Sequence, residues 1–379
     1  MNSILVSCND TKISNTSYIF QLIDSVKLPA YSYISPTALC VRYYFKDGNE
    51  YLFWGNSPQN NIELYNLSLE KHIRSISIPE EGPRGIRTIK GGFKVLNFDT
   101  IFVNNINTLG DLYIIDTSGL VFDIIKYSTD TAVRNANSYI NLNTHIIGNV
   151  FREDNKLIIP LRTPFFRKMP DENTISHIKK FNVYNFESKN LTTSPIQIDP
   201  DIYKERDMYV LSSVVSLNER YYYQHQNSPN IYYTDDLTHK QSKKFVSEYF
   251  IKFVPENTYA TPFENVKHSF YYYSLQSDPC KNLLYRIIKL PASDPQLTDG
   301  YDEFYGKWDR GSIMVFDADL NLLDEFLFPT HGLYSWYECF VGQKGFYLKR
   351  SPNHPHYSES KITYDIFEFR EVEKKDSAL

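Results

Sequence analysis

Residues 100–125 contain Thr100-Ile101-Phe102-Val103, then Leu112-Tyr113-Ile114-Ile115-Asp116, the turn Thr117-Ser118-Gly119, and Val121-Phe122-Asp123-Ile124-Ile125. Short runs of β-branched and aromatic residues, separated by polar and Gly-containing turns, are the signature of antiparallel strands. Three such strands with tight connections make an incomplete sheet, which needs a further strand and neighbours to cover its faces.

The same unit recurs on both sides. Upstream are Tyr51-Leu52-Phe53-Trp54, Ile62-Glu63-Leu64-Tyr65 and Ile73–Ile78; downstream, equivalent first strands begin at 157, 221, 284 and 346. Successive starts lie 49 to 64 residues apart, a period that suits one four-stranded propeller blade with generous loops. A leading strand precedes each start, as in Leu39–Phe45. The sixth copy lacks its final strand, and Tyr18–Ile23 at the other end of the chain is unassigned. Pairing the two would close the ring and remove exposed sheet edges. The expected fold is therefore an all-β, six-bladed propeller with four-stranded blades, closed by an N-terminal strand joining the last blade. It spans residues 13–379 as one domain, behind a tether at 1–12. A two-domain β-sandwich protein and a seven-bladed ring are the alternatives.

Composition narrows the function classes. The 379 residues carry 31 Tyr and 25 Phe, with 40 Lys+Arg against 45 Asp+Glu for a net charge of −5. That balance argues against nucleic acid as a partner. No apolar run approaches the roughly 20 residues needed to span a bilayer. Of the four cysteines, Cys40, Cys280 and Cys339 form no C-x-x-C pair, and Cys40 and Cys339 sit in apolar runs that suggest buried small hydrophobes. Leu5-Val6-Ser7-Cys8 is lipobox-like and makes Cys8 the candidate lipid attachment site. A secretory signal also needs a basic and an apolar stretch ahead of it, so this reading requires coding sequence upstream of Met1. The expected location is then the bacterial cell envelope, with membrane contact only through the lipid.

Glu81-Gly82-Pro83-Arg84-Gly85 resembles the Gly-Pro turn between blades of NHL-like and TolB-like propellers. Val315-Phe316-Asp317-Ala318-Asp319-Leu320-Asn321-Leu322-Leu323 has the strand, Asp, turn, strand cadence of those blades. Together with Cys8 and the Tyr/Asn-rich composition, the chain resembles the uncharacterised six-bladed propeller lipoproteins of Bacteroidetes over nearly its full length. The resemblance implies a fold and an envelope location, with no activity to carry over.

Candidate chemistry is sparse. Asp317-x-Asp319-x-Asn321 opens like a calcium loop, but Leu322 and Phe328 stand where Gly and Glu are required, so a hairpin turn is expected. His354-x-His356 lies in a segment with two prolines, Pro352 and Pro355, and reads as a solvated turn. No cofactor or metal is expected. The clusters Tyr221–Tyr223 and Tyr271–Tyr273 read as inter-blade packing, because alternation sends each middle ring to the opposite face. Long second-to-third-strand loops in the third, fifth and sixth copies share one face, where binding usually resides. They bring Phe165, Arg167, Tyr301, Phe304, Tyr305, Trp308 and Arg310 forward as contacts for a protein, peptide or glycan partner. Trp308 is expected to be partly exposed there. The leading function is non-catalytic binding at this loop-rich face. The alternative is a glycan-directed hydrolase or lyase in the central channel, for which Glu81, Arg84, Asp99 and Arg286 are the ionisable residues whose direction matters.

Overall fold

The computed structural model describes residues 16–31, 40–82, 84–104, 111–126, 150–161, 178–199, 202, 212–251, 261–296, 298–300, 302, 306–329 and 331–373. They form six four-stranded antiparallel sheets. Blade 1 comprises Val41–Lys46, Asn49–Asn56, Asn61–Asn66 and Lys71–Ser77. Blade 2 comprises Phe93–Asn97, Thr100–Asn104, Asp111–Ile115 and Val121–Lys126. Blade 3 is built from Phe151–Glu153, Lys156–Pro160, Phe181–Asn185 and Leu191–Thr193. Blade 4 follows with Ser212–Leu217, Arg220–His225, Asn230–Thr234 and Gln241–Lys244. Blade 5 uses Tyr271–Asp278, Leu283–Lys289, Arg310–Asp317 and Leu322–Pro329.

Blade 6 takes Tyr334–Gly342, Gly345–Arg350 and Lys361–Glu373 from the C-terminal end and Thr16–Pro29 from the N-terminal end. The two terminal strands run antiparallel from Thr16 opposite Glu373 to Pro29 opposite Lys361, with one irregularity between Leu22 and Asp24. Phe20 stacks on Phe367 at 5.6 Å and meets Phe328 of blade 5 edge-on at 5.2 Å. The six-bladed ring and its closure thus follow the reading of the sequence.

Local chemistry explains the hairpins. Asp47-Gly48, both at positive φ (51° and 76°), turn the first hairpin, the two-residue geometry that matches strand twist. Asp317 Oδ1 accepts the backbone N–H of Asp319 (3.0 Å) and Asn321 (2.8 Å), so the calcium-like motif is a side-chain-capped turn. His354 and His356 also lie in a turn segment.

The core lies between blades. Tyr221 and Tyr223 pack with Phe181 and Ile158 toward blade 3, whereas Tyr222 packs with Tyr272 and Leu284 toward blade 5. Tyr271 and Tyr273 face the blade 6 side with Trp336 and Phe346. Burying each large side chain is worth on the order of 1.5–3 kcal/mol, and the alternation lets one strand supply two interfaces.

Candidate functional site

Because every blade runs antiparallel, its second-to-third-strand loop lies on the same face as the start of its inner strand. Two features stand out: a rim cleft between blades 5 and 6 on this face, and the axial channel, whose walls reach the opposite face at the first-to-second-strand hairpins, as at Asp278–Cys280 and Gly342–Gln343.

The rim cleft is built by the loop after Leu283–Lys289. A short helix, α1 (Pro262–His268), supports it: Thr261 caps α1 by accepting the N–H of Glu264, and Ala292 N–H donates to the Lys267 carbonyl. The cleft has a volume of about 420 Å³, with Asp294, Lys307, His331 and Asn353 among its walls. Two carboxylates latch the loops around it. Asp309 Oδ2 accepts the N–H and hydroxyl of Ser293 (2.7 and 2.6 Å), and its Oδ1 lies 2.8 Å from His331 Nδ1. Burial alone would raise the Asp309 pKa, but these bonds hold it below the usual value. Asp302 takes Lys307 Nζ on one oxygen (2.7 Å) and Asn353 Nδ2 on the other (3.0 Å).

The proposed rim residues are distributed unevenly. Tyr301, Phe304, Tyr305, Phe165 and Arg167 lie outside the described residues, as does Cys8. Arg310 opens the third strand of blade 5 and is half-buried. Trp308 corrects the expectation of an exposed ring. It is fully buried, stacked on Trp336 at 5.3 Å and edge-on to Tyr273 at 4.8 Å. Gly306 permits this descent: its φ is +82°, and a Cβ there would lie 2.5 Å from the Tyr337 ring. The indole therefore belongs to the core, where it has no surface with which to touch a partner.

The channel encloses about 350 Å³ between the inner strands of blades 1, 2, 4, 5 and 6. None of the four residues weighed in the sequence lines it. Glu81 and Arg84 border a groove between the outer edges of blades 1 and 2, with Arg84 donating to the Val121 carbonyl at 2.8 Å. Asp99 is exposed beside a hairpin turn. Arg286 lies between blades 4 and 5, donating to Gln224 Oε1 (2.7 Å) and to the carbonyls of Ser228 (2.8 Å) and Pro229 (2.9 Å), with its guanidinium 3.5 Å from the Tyr272 ring centre.

The charged residues in the channel wall are Arg42, Lys94 and Asp278 among the described residues. Burial lowers the Arg42 pKa. Burial, then repulsion from Arg42, pushes the Lys94 ammonium down to about 8. Asp278 accepts the N–H groups of Cys280 and Lys281 at 3.0 Å each, while its burial raises its pKa. Cys339, also in the wall, is pushed up to about 12 by burial, which leaves it a thiol. The sequence reading missed the cations. A usable signal existed, since each interrupts an apolar run near the start of a blade: Cys40-Val41-Arg42-Tyr43 and Phe93-Lys94-Val95.

Six four-stranded blades around such a channel define a six-bladed β-propeller. The family model "Domain of unknown function (DUF4221)" matches residues 10–327, and the chain belongs to that family. A crystal structure of a DUF4221 member from Bacteroides vulgatus is 16% identical, covering 94% of this chain and 99% of that one at a TM-score of 0.78. A Bacteroides fragilis protein expected to be exported matches at 10% identity, over 94% of this chain and 96% of its own, with a TM-score of 0.52. A streptogramin B lyase is similar over 93% of this chain and 98% of its own at 9% identity, but its TM-score of 0.43 carries no argument about chemistry. None of the curated proteins matches the chain significantly.

Proposed function

We propose that this chain is a cell-envelope binding propeller that captures a protein, peptide or glycan partner at its loop-rich face without performing chemistry on it. The observation that carries the reading is the cleft between blades 5 and 6, whose loops are held in place by Asp302 and Asp309. A concave, polar site on a rigid scaffold binds without a large ordering cost. Exposed Asp294 and His331 offer hydrogen bonds at its mouth. Arg310 is a proposed contact of the loop-rich face, as are the loop residues Tyr301, Phe304, Tyr305, Phe165 and Arg167, which lie outside the described residues. A glycan hydrolase would call for a pair of carboxylates across the scissile bond. Among the described channel residues the carboxylate is Asp278, already engaged by two backbone N–H groups.

The envelope location rests on Leu5-Val6-Ser7-Cys8 and on the expected export of the Bacteroides fragilis relative. Cys8 would carry the lipid, and membrane contact would run through that lipid alone. The test is a glycan and peptide array probed with the wild-type chain, His331→Ala and Asp294→Asn. A binder lost by at least tenfold in either variant, at unchanged melting temperature, supports the cleft. Binders that both variants retain at full affinity, or no binder at all, overturn it.

A further inference from the structure

The rim cleft leaves the cations of the axial channel unused. Arg42, Ser213 and Ser274 stand opposite Phe53, Gln224 and Ile287, the same rung of blades 1, 4 and 5 counted from the hairpin. Lys94 joins them from blade 2, opposite Phe102. All four border the same 350 Å³ space, which is within the range of small-molecule pockets.

Their hydrogen-bonding states differ. Ser213 Oγ is committed to blade 5, accepting the N–H of Leu275 at 3.0 Å. Arg42 Nη1 donates to the Val41 carbonyl at 2.8 Å. Ser274 Oγ is buried without a hydrogen-bond partner among the described residues. Lys94 makes no ion pair or hydrogen bond among them; the groups acting on it are Arg42, which repels its charge, and the Cys40 thiol. Lys94 is half-buried at the channel wall, and a lysine lying beside an arginine, with a buried hydroxyl lacking a partner on the same wall, favours an anion bound between the two cations. Leu275 and Val341 border the same cavity and are buried hydrophobes. A multiply charged inorganic ion would leave that apolar wall unused and would itself be poorly solvated against it.

We propose that the axial channel binds a small organic carboxylate, its anionic end between Arg42 and Lys94 and its apolar body against Leu275 and Val341. The guanidinium plane suits a carboxylate fork, and Lys94 adds a point charge. The Ser274 hydroxyl is enclosed in this structure, and rotation about its χ1 would bring it to the ligand as a neutral donor. The ligand would neutralise the repulsion between the two cations, so binding and folding stability should be linked.

Benzoate is the probe, with benzamide as its neutral isostere and inorganic phosphate as the competing anion class. Melting temperature and titration calorimetry are measured on the full chain. Benzoate should raise the melting temperature, with benzamide and phosphate producing little shift. Its affinity should fall at least tenfold in Lys94→Met and several-fold in Ser274→Ala, a variant that removes one atom and is expected to keep the fold. Wild-type affinity should also decline from pH 7 to pH 9.5 as Lys94 loses its proton, a slope that Lys94→Met should lack. Equal stabilisation by benzoate and benzamide, stabilisation by phosphate alone, no shift with any of the three, or full benzoate affinity in both variants would each overturn the assignment. The rim variants His331→Ala and Asp294→Asn should leave benzoate binding intact, which separates this site from the cleft.

Discussion

The indole of Trp308 lies against that of Trp336 at a centroid distance of 5.3 Å with the ring planes 16° apart. Trp308 comes from the long loop of blade 5 and Trp336 from the inner strand of blade 6. Their stacking welds the base of the loop-rich rim to the ring. Backbone bonds reinforce it: Gly332 N–H donates to the Trp308 carbonyl at 3.0 Å, and Trp336 N–H to the Gly306 carbonyl at 2.9 Å.

Trp308→Ala should therefore cost about 3–5 kcal/mol of stability, as expected for truncating a fully buried large aromatic. Urea denaturation of wild type and variant checks this. A loss below about 1 kcal/mol would return the indole to the surface.

Deleting residues 1–27 should destabilise the whole ring and promote aggregation, because it removes most of Thr16–Pro29 and exposes the edge of Lys361–Glu373. Deleting residues 1–12, ahead of the strand, should change the melting temperature little. Equal melting of the two truncations would contradict the closure.

Lys94, which has no ion pair among the described residues, gives a pH signature. Its folded-state pKa of about 8 lies below the ordinary lysine value of 10.5, so between these values the unfolded chain binds more protons than the folded one. Stability from this group should rise as pH increases from about 8 to 10. Lys94→Met should be more stable than wild type at pH 7 by about 1–3 kcal/mol and should lose that rise. Chemical denaturation across pH 7–10 tests the sign; a variant less stable than wild type at pH 7 would contradict it.

For the proposed anchor, the gene expressed with its upstream codons should give a membrane-associated product, and Cys8→Ser should move it to the soluble fraction. Unchanged fractionation of the variant would exclude lipidation at Cys8.

Strand positions, hairpins and the six-fold period were legible in the chain because they depend on neighbours one to four residues apart. Alternation alone separates Tyr222 from Tyr221 and Tyr223, and Asp317 needs only its own turn to explain it. Ring closure could also be anticipated, since a blade short of one strand at one terminus and a spare strand at the other admit a single economical pairing.

The candidate sites depended on contacts between distant parts of the chain. Trp308 sits among aromatics and charges that look like a binding loop, and its burial follows from Trp336 and Tyr273, supplied by blade 6 and by another strand of blade 5. Arg286 reads as a possible channel residue until the carbonyls of blade 4 are placed around it. Arg42 and Lys94 come from different blades, and only the curvature of the ring brings them to one cavity. Sequence determined which residues form strands and turns because those choices are local. Tertiary structure decided which side chains face the axis, the rim or a neighbouring blade, because packing brings together residues far apart in the chain.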